Sequence, residues 1–147
     1  MTGSVVAVCT SKNKGERKTP VLNVNVLPDH GIEGDAHAGD WHRQVSLLAQ
    51  ESIEKMQRLG LSVTAGDFAE NITTIGINLP SLPIGTKLKV GETIMEVTQI
   101  GKECHTRCAI YYQAGDCVMP KEGIFTRVLH GGGIKPGDVV EVMDVVH

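Results

Sequence analysis

Three of the four cysteines lie close together in the last third of the chain. Cys104, Cys108 and Cys117 fall within fourteen residues, whereas Cys9 lies in an apolar segment near the start. In a chain predicted to be cytoplasmic, clustered cysteines indicate metal, persulfide or redox chemistry more than disulfide cross-links. Cys9 is interpreted as a small buried hydrophobe.

Cys104 has the surroundings expected of a reactive thiolate. It follows a strand-like segment and a glycine turn, where loops commonly present reactive groups. Lys102, His105 and Arg107 are near it in sequence and would lower the pKa of its thiol by stabilising the thiolate. A thiolate binds molybdenum, zinc or copper and can carry a persulfide sulfur. Cys104 is therefore predicted as the catalytic residue, with a thiolate able to bind a metal or carry sulfur, and a small buried hydrophobe is the alternative.

The other two clustered cysteines are predicted as accessory thiols, with simple burial as the open alternative for each. Zinc fits the cluster less well than molybdenum or sulfur chemistry. Cys104, His105, Cys108 and Cys117 are suitable ligand types, but the spacing lacks the paired knuckles of common structural zinc sites. Adjacent Cys and His ligands are also awkward in one tetrahedron.

A second segment has the composition of an anion-binding loop. Residues 31–43 read GIEGDAHAGDWHR, and small residues such as Gly34 allow a ligand to approach the backbone closely. Asp35, His37 and Arg43 add groups that can hold phosphate or oxo oxygens. A solvated polar turn between two strands is the alternative that composition leaves equally open.

Two further places supply polar candidates. Glu70 and Asn71 are included as candidate cofactor-binding residues, although side-chain to backbone hydrogen bonds favour a structural role. Arg127 is flanked by apolar residues on a strand-like stretch and precedes three glycines. Such an arginine is either a surface strand residue or a buried anion clamp.

The composition excludes several classes of function. The 147 residues are 41% hydrophobic and 21% charged, with a net charge of −3, which is the balance of an ordinary globular protein. We predict a single cytoplasmic domain over residues 1–147. No apolar run is long enough to span a membrane, so a membrane is not an expected partner. Basic patches and aromatic residues are scarce, so a nucleic acid is not expected either. Common nucleotide-loop, zinc-protease and serine-hydrolase motifs are missing.

Short strands separated by turns must position these residues. β-branched or alternating apolar residues predict strands at 3–10, 21–26, 44–48, 72–75, 87–90 and 93–100, with a closing strand after a turn at 134–138. The polar run 11–19 is predicted as an exposed loop. Many short strands with regular turns are typical of a closed or nearly closed barrel, so we predict a mainly β fold.

One helix is predicted at 49–59, where Ile53, Met56 and Leu59 recur at helical spacing. Acidic residues come early, basic residues come late, and Gly60 ends the pattern. A second short helix from Val63 is an alternative that the following glycine and aspartate disfavour.

Four stretches together resemble the MOSC domain, named for the C-terminal domain of molybdenum cofactor sulfurases. They are GDAHAGDWHRQVSLL, GDFAENITTIGINL, LPIGTKLKVGETIMEVTQIGKEC and GGGIKPGDVVEV, in the family's order and over nearly the whole chain. The CxxxC, GDCVMPKEGIF and GG segments are similar to those of stand-alone bacterial members.

The resemblance implies a barrel-like, mainly β fold with one or two short helices and a pocket for the pyranopterin molybdenum cofactor. It maps the family's key cysteine onto Cys104, as molybdenum ligand or sulfur carrier. The GDAH stretch at 34–37 and Arg43 become candidates for the pocket wall. Arg127 becomes a candidate for binding the cofactor phosphate.

The function implied first is handling of the cofactor or its sulfur during cofactor maturation. Molybdenum cofactor biosynthesis proteins or a molybdoenzyme are the expected partners, with a cysteine desulfurase as candidate sulfur donor. The first alternative is a molybdenum-dependent reductase of N-hydroxylated compounds, which Glu103 disfavours because such relatives often have proline there. The second is a non-catalytic, zinc-stabilised interaction module. Whether the chain is an enzyme, as an oxidoreductase or a sulfur transferase, stays open.

Overall fold

The computed structural model describes residues 2–14, 16–101 and 122–144. These ranges contain one α-helix, α1 (Gln50–Arg58), and a 3-10 turn at Leu79–Ser81. The described strands are β1 (Thr2–Thr10), β2 (Thr19–Val21), β3 (Val24–Leu27), β4 (Gly31–Ile32), β5 (Val45–Ala49), β6 (Ile72–Ile75), β7 (Lys87–Val90), β8 (Thr93–Ile100), β9 (Ile124–His130), β10 (Gly132–Ile134) and β11 (Val139–Asp144).

Seven of the described strands close into a barrel, in the order β11-β7-β8-β9-β5-β6-β1, with β1 pairing back to β11. Neighbours are antiparallel except β5 and β6, which run parallel. A parallel pair needs a crossover connection, and α1 lies in that connection. β2 pairs with β1, and β10, β3 and β4 form a small separate sheet. The prediction of a mainly β, barrel-like fold is confirmed.

Alternation of side chains along the strands fills the barrel. Leu47, Leu88 and Met95 point into its core and are fully buried. β5 is buried along its whole length, because its other face packs under α1 in a second cluster that includes Leu48 and Phe125. The loop that enters β5 is therefore attached to the most deeply buried strand of the barrel.

The predicted helix is confirmed with its ends shifted by one residue. Ile53 and Met56 are buried against the barrel, as the helical spacing predicts. Leu59 lies just after the last helical residue and is 59% exposed, so its place in the predicted apolar face was wrong. Gly60 follows with a φ of 93°, a conformation that ends helices at glycine.

Two local predictions were wrong, those for the strand at 21–26 and for the loop at 11–19. The single strand at 21–26 is broken into β2 and β3, and Leu22 between them is 88% exposed. The alternative of a second short helix from Val63 is not found in the described chain, which has a turn at 65–68, as the glycine and aspartate there indicated. In the predicted exposed loop 11–19, Ser11 and Lys18 are buried. None of the helices within the described ranges is long and apolar enough to cross a membrane.

Candidate functional site

The loop that leads into β5 is tied to the end of β8 through Arg43 and Gln99. Arg43 Nε donates to Gln99 Oε1 at 3.1 Å, and His42 Nε2 lies 2.9 Å from the same oxygen. Gln99 Nε2 donates to the Gly101 carbonyl at 2.7 Å. The amide of Gln99 thus joins the arginine to the backbone at the point where β8 ends.

The guanidinium of Arg43 is positioned by two aromatic rings as well. Its Cζ lies 5.1 Å from the centre of Phe125 and 6.0 Å from that of Trp41, within the range of cation–π attraction. Only Nε is used in a hydrogen bond to another described residue. Because arginine has five N–H donors, the Nη groups of Arg43 can still bind an oxyanion.

Cationic and imidazole side chains surround Trp41. Lys14 Nζ lies 4.5 Å above the indole, His37 stacks on it at 6.3 Å, and His42 meets it edge-on at 5.9 Å. Together with Arg43, these residues are called the Trp41 cluster. Trp41 itself is fixed by donation from Nε1 to the His37 carbonyl at 2.7 Å. The cluster concentrates positive charge, which favours an anionic ligand.

A buried ion pair contacts the Trp41 cluster at His37. Lys18 Nζ donates to Asp35 Oδ1 at 2.8 Å, and neither side chain is exposed to solvent. The ammonium also lies 3.0 Å from Ser11 Oγ and 2.9 Å from His37 Nδ1. Burial by itself would raise the pKa of Asp35, but hydrogen bonds from Lys18 and from the Ser11 and His37 backbone outweigh it and lower that pKa. Asp35 is therefore an anchoring carboxylate.

Gly34 is exposed, as is Glu33 before it, whereas Asp35 after it is buried. Its φ is 84°, and a Cβ there would meet nothing within 4 Å. The glycine is therefore used for its backbone conformation rather than for close packing. Its prediction as a cofactor-binding residue is not tested by this geometry and stays a prediction.

Arg127 lies on β9 but is engaged by two carboxylates. Its Nε donates to Asp29 at 2.6 Å and one Nη donates to Asp40 at 3.1 Å. The neighbouring guanidinium lowers the pKa of Asp29, with help from a hydrogen bond from Gln44. The carboxylates offset the charge of Arg127, so Arg43 is better suited to an anion. The phosphate-binding role of Arg127 stays a prediction.

Glu70 and Asn71 are buried and bonded within the protein. Glu70 accepts hydrogen bonds from the Gly66 and Phe68 backbone and from Thr73 Oγ1. Burial raises the pKa of Glu70 despite these donors. The contacts of Glu70 and Asn71 agree with the structural role that hydrogen bonds between side chain and backbone favour.

The amide of Asn71 joins three strands or their ends. It accepts from Ser46 N at 3.0 Å and donates to the Cys9 carbonyl at 3.2 Å. Cys9 is fully buried, and burial raises the pKa of its thiol to about 12, with Glu70 adding to the effect. Cys9 is thus an inert core thiol, as predicted.

The predicted reactive thiols, Cys104, Cys108 and Cys117, lie outside the described residues, as does the alternative zinc ligand His105. Within the described ranges, no group of three or more His, Cys, Asp or Glu side chains is arranged to hold a metal ion. The predictions for these thiols are therefore neither confirmed nor contradicted.

Sequence reasoning missed five residues of the site. Lys14 had no signal, since it lies in the polar run predicted as an exposed loop. Lys18 and Gln99 had no signal, since each lies in an unremarkable polar context. Phe125 follows an apolar pattern and was assigned only to a strand. Trp41 did carry a signal, because it is the single tryptophan of an aromatic-poor chain and lies in the glycine-rich loop.

The geometry defines a small β-barrel domain with an anion-accepting cluster beside the end of one strand. A family model for the MOSC domain matches residues 34–141. The chain therefore belongs to the MOSC domain family, as the sequence resemblance indicated. That family is associated with molybdenum cofactor binding and cofactor-related proteins.

Solved structures share the fold. The YuaD protein from Bacillus subtilis is 16% identical, with a TM-score of 0.79, over 95% of this chain and 94% of that one. YiiM from Geobacillus stearothermophilus is 23% identical, with a TM-score of 0.71, over 97% and 75%. YiiM from Escherichia coli is 20% identical, with a TM-score of 0.71, over 99% and 71%. No curated protein matches the chain.

Proposed function

We propose that the chain binds the molybdenum cofactor at the Trp41 cluster and handles the cofactor or its sulfur during cofactor maturation. The observation that carries this proposal is the guanidinium of Arg43. Gln99 holds it through Nε alone, and its remaining donors have no acceptor among the described residues. Charge-assisted hydrogen bonds of this kind bind phosphate and oxo oxygens strongly.

The donor set fits the anionic part of the cofactor. Lys14 and Arg43 supply positive charge around Trp41, and His37 and His42 add imidazole nitrogens. When bound, the cofactor supplies a molybdenum centre able to take a sulfur ligand.

Cys104 is the proposed sulfur carrier or metal ligand. It follows Gly101 by three residues, and three residues span at most about 11 Å. Gly101 accepts the hydrogen bond from Gln99, and the proposal requires that the chain continue from there so that Cys104 meets the cluster. The Cys104 thiolate would attack the terminal sulfur of a donor persulfide. A new S–S bond forms on Cys104, the donor's S–S bond breaks, and the donor leaves as a thiolate.

The proposed sulfur donor is a cysteine desulfurase carrying a persulfide, and the recipient is a molybdenum cofactor biosynthesis protein or a molybdoenzyme. The test is anaerobic incubation of the protein with a cysteine desulfurase and cysteine, followed by intact-mass measurement. Wild type and Cys108→Ser should gain the mass of one sulfur atom, and Cys104→Ser should not. Equal sulfur loading of Cys104→Ser would overturn the carrier role.

A further inference from the structure

Lys18 is a buried lysine with all three ammonium hydrogens engaged. Its acceptors are Ser11 Oγ at 3.0 Å, Asp35 Oδ1 at 2.8 Å and His37 Nδ1 at 2.9 Å. A fully buried lysine is uncommon unless it is paired. Here one partner is a carboxylate that balances the charge, and another is the imidazole of a candidate site residue.

The contact between Lys18 Nζ and His37 Nδ1 bears on the protonation of the imidazole. An ammonium group has donors only, so the imidazole nitrogen facing it must accept. An imidazolium would instead place an N–H against the ammonium at 2.9 Å. We propose that Lys18 is a positioning residue that holds His37 neutral, with its proton on Nε2.

Asp35 completes the arrangement. Its Oδ2 accepts from the His37 backbone at 3.1 Å, while Oδ1 holds Lys18. The Asp35 carboxylate therefore holds both the Lys18 ammonium and the backbone N–H of His37. The ring of His37 is the one that the same ammonium contacts. The Trp41 ring lies nearly parallel to the His37 ring, with centroids 6.3 Å apart and an interplanar angle of 6°.

The consequence is a defined chemical role for His37. Whatever Nε2 contacts, it contacts as a hydrogen-bond donor and not as a proton acceptor. In the Trp41 cluster such a donor suits an anionic or carbonyl oxygen and excludes general-base work by Nε2. That His37 Nε2 donates to a bound cofactor rests on the proposed function. The tautomer of His37 does not depend on that function.

The test reads the tautomer in the protein without cofactor, by long-range ¹H–¹⁵N correlation on ¹⁵N-histidine-labelled protein at neutral pH. His37→Gln identifies the His37 signals among those of the six histidines. We expect an unprotonated Nδ1 and a protonated Nε2. A protonated Nδ1, an imidazolium or an even mixture of tautomers would overturn the proposal, whatever the outcome for sulfur transfer.

Lys18→Met removes the donors while keeping a side chain of similar length. We expect the His37 Nδ1 signal to shift toward that of a protonated nitrogen, because the Asp35 carboxylate, unpaired in this variant, lies 4.0 Å from Nδ1. A folded variant that keeps the pure Nε2–H tautomer would show that Lys18 does not set it. If the variant fails to fold, the wild-type spectrum alone decides the proposal.

Discussion

Arg43 and Gln99 are joined by a hydrogen bond from Nε to Oε1 of 3.1 Å, although 56 residues separate them in sequence. Thr98, the neighbour of Gln99, adds a hydrogen bond from its hydroxyl to the His42 carbonyl. Hydrogen bonds from two adjacent residues near the end of strand β8, Thr98 and Gln99, thus attach the loop of the Trp41 cluster to that strand. This fastening brings the cluster beside the end of β8 and Gly101.

The first prediction concerns the stability supplied by the buried pair Lys18–Asp35. Lys18→Met leaves the Asp35 carboxylate buried and unpaired, so the free energy of unfolding should fall by about 3–5 kcal/mol. Urea denaturation followed by circular dichroism measures the change. As a matched control, Lys135→Met breaks an exposed pair with Asp138 and should change little. Equal losses in the two variants would contradict the assignment.

The second prediction concerns pH and the two buried carboxyls, whose pKa values shift in opposite directions. The pKa of Asp35 is lowered, so its contribution to stability is present above its unfolded pKa and is lost as pH falls through the folded value. The pKa of Glu70 is raised, so its contribution is present below its unfolded pKa and is lost as pH rises through the folded value.

Substitutions expose this difference. As pH is lowered, the stability cost of Asp35→Asn should shrink, whereas that of Glu70→Gln should grow. Urea denaturation midpoints of both variants and wild type across a pH series provide the measurement. If the stability losses of Asp35→Asn and Glu70→Gln changed with pH in the same direction, the opposite pKa shifts assigned to the two carboxyls would be wrong.

The third prediction concerns the close approach of Gly66 to Lys18. Gly66 has a φ of 90°, and an added Cβ would overlap the Lys18 carbonyl oxygen. Gly66→Ala should therefore cost more than the roughly 1–2 kcal/mol expected for alanine at positive φ. Gly137→Ala is the control, since Gly137 has a φ of 94° and nothing within 4 Å of an added Cβ. Thermal unfolding of both variants compares them, and equal costs would contradict the clash.

Much of the fold could be predicted because its signals are local. The strands at 72–75, 87–90 and 93–100 match the structure, since β-branched alternation and glycine turns specify them without help from distant residues. The break between β2 and β3 was missed because Leu22 continues the apolar pattern while lying exposed. An apolar residue outside the core gives no local sign of its exposure.

The candidate site was predictable only in part. The glycine-rich loop and Arg43 were found from composition, since small residues and donors mark anion-binding loops. Lys18 and Gln99 were missed because their roles depend on partners 17 and 56 residues away. Arg127 had an apolar context that matched an anion clamp, but the sequence could not show that Asp29 and Asp40 lie beside it.

The most direct measurement of the central claim compares molybdenum and pterin content in Arg43→Gln and Arg58→Gln. Each protein is purified anaerobically from a molybdenum-replete host and assayed by elemental analysis and pterin fluorescence. Arg58 lies exposed in the last turn of α1, so its variant controls for loss of one positive charge.

Wild type and Arg58→Gln should carry molybdenum and pterin together. Arg43→Gln should retain at most about one tenth of the wild-type molybdenum and pterin content. The reason is that a charge-assisted hydrogen bond contributes about 1.5–3 kcal/mol. Full retention by Arg43→Gln, or a wild-type protein with neither molybdenum nor pterin, would contradict the account.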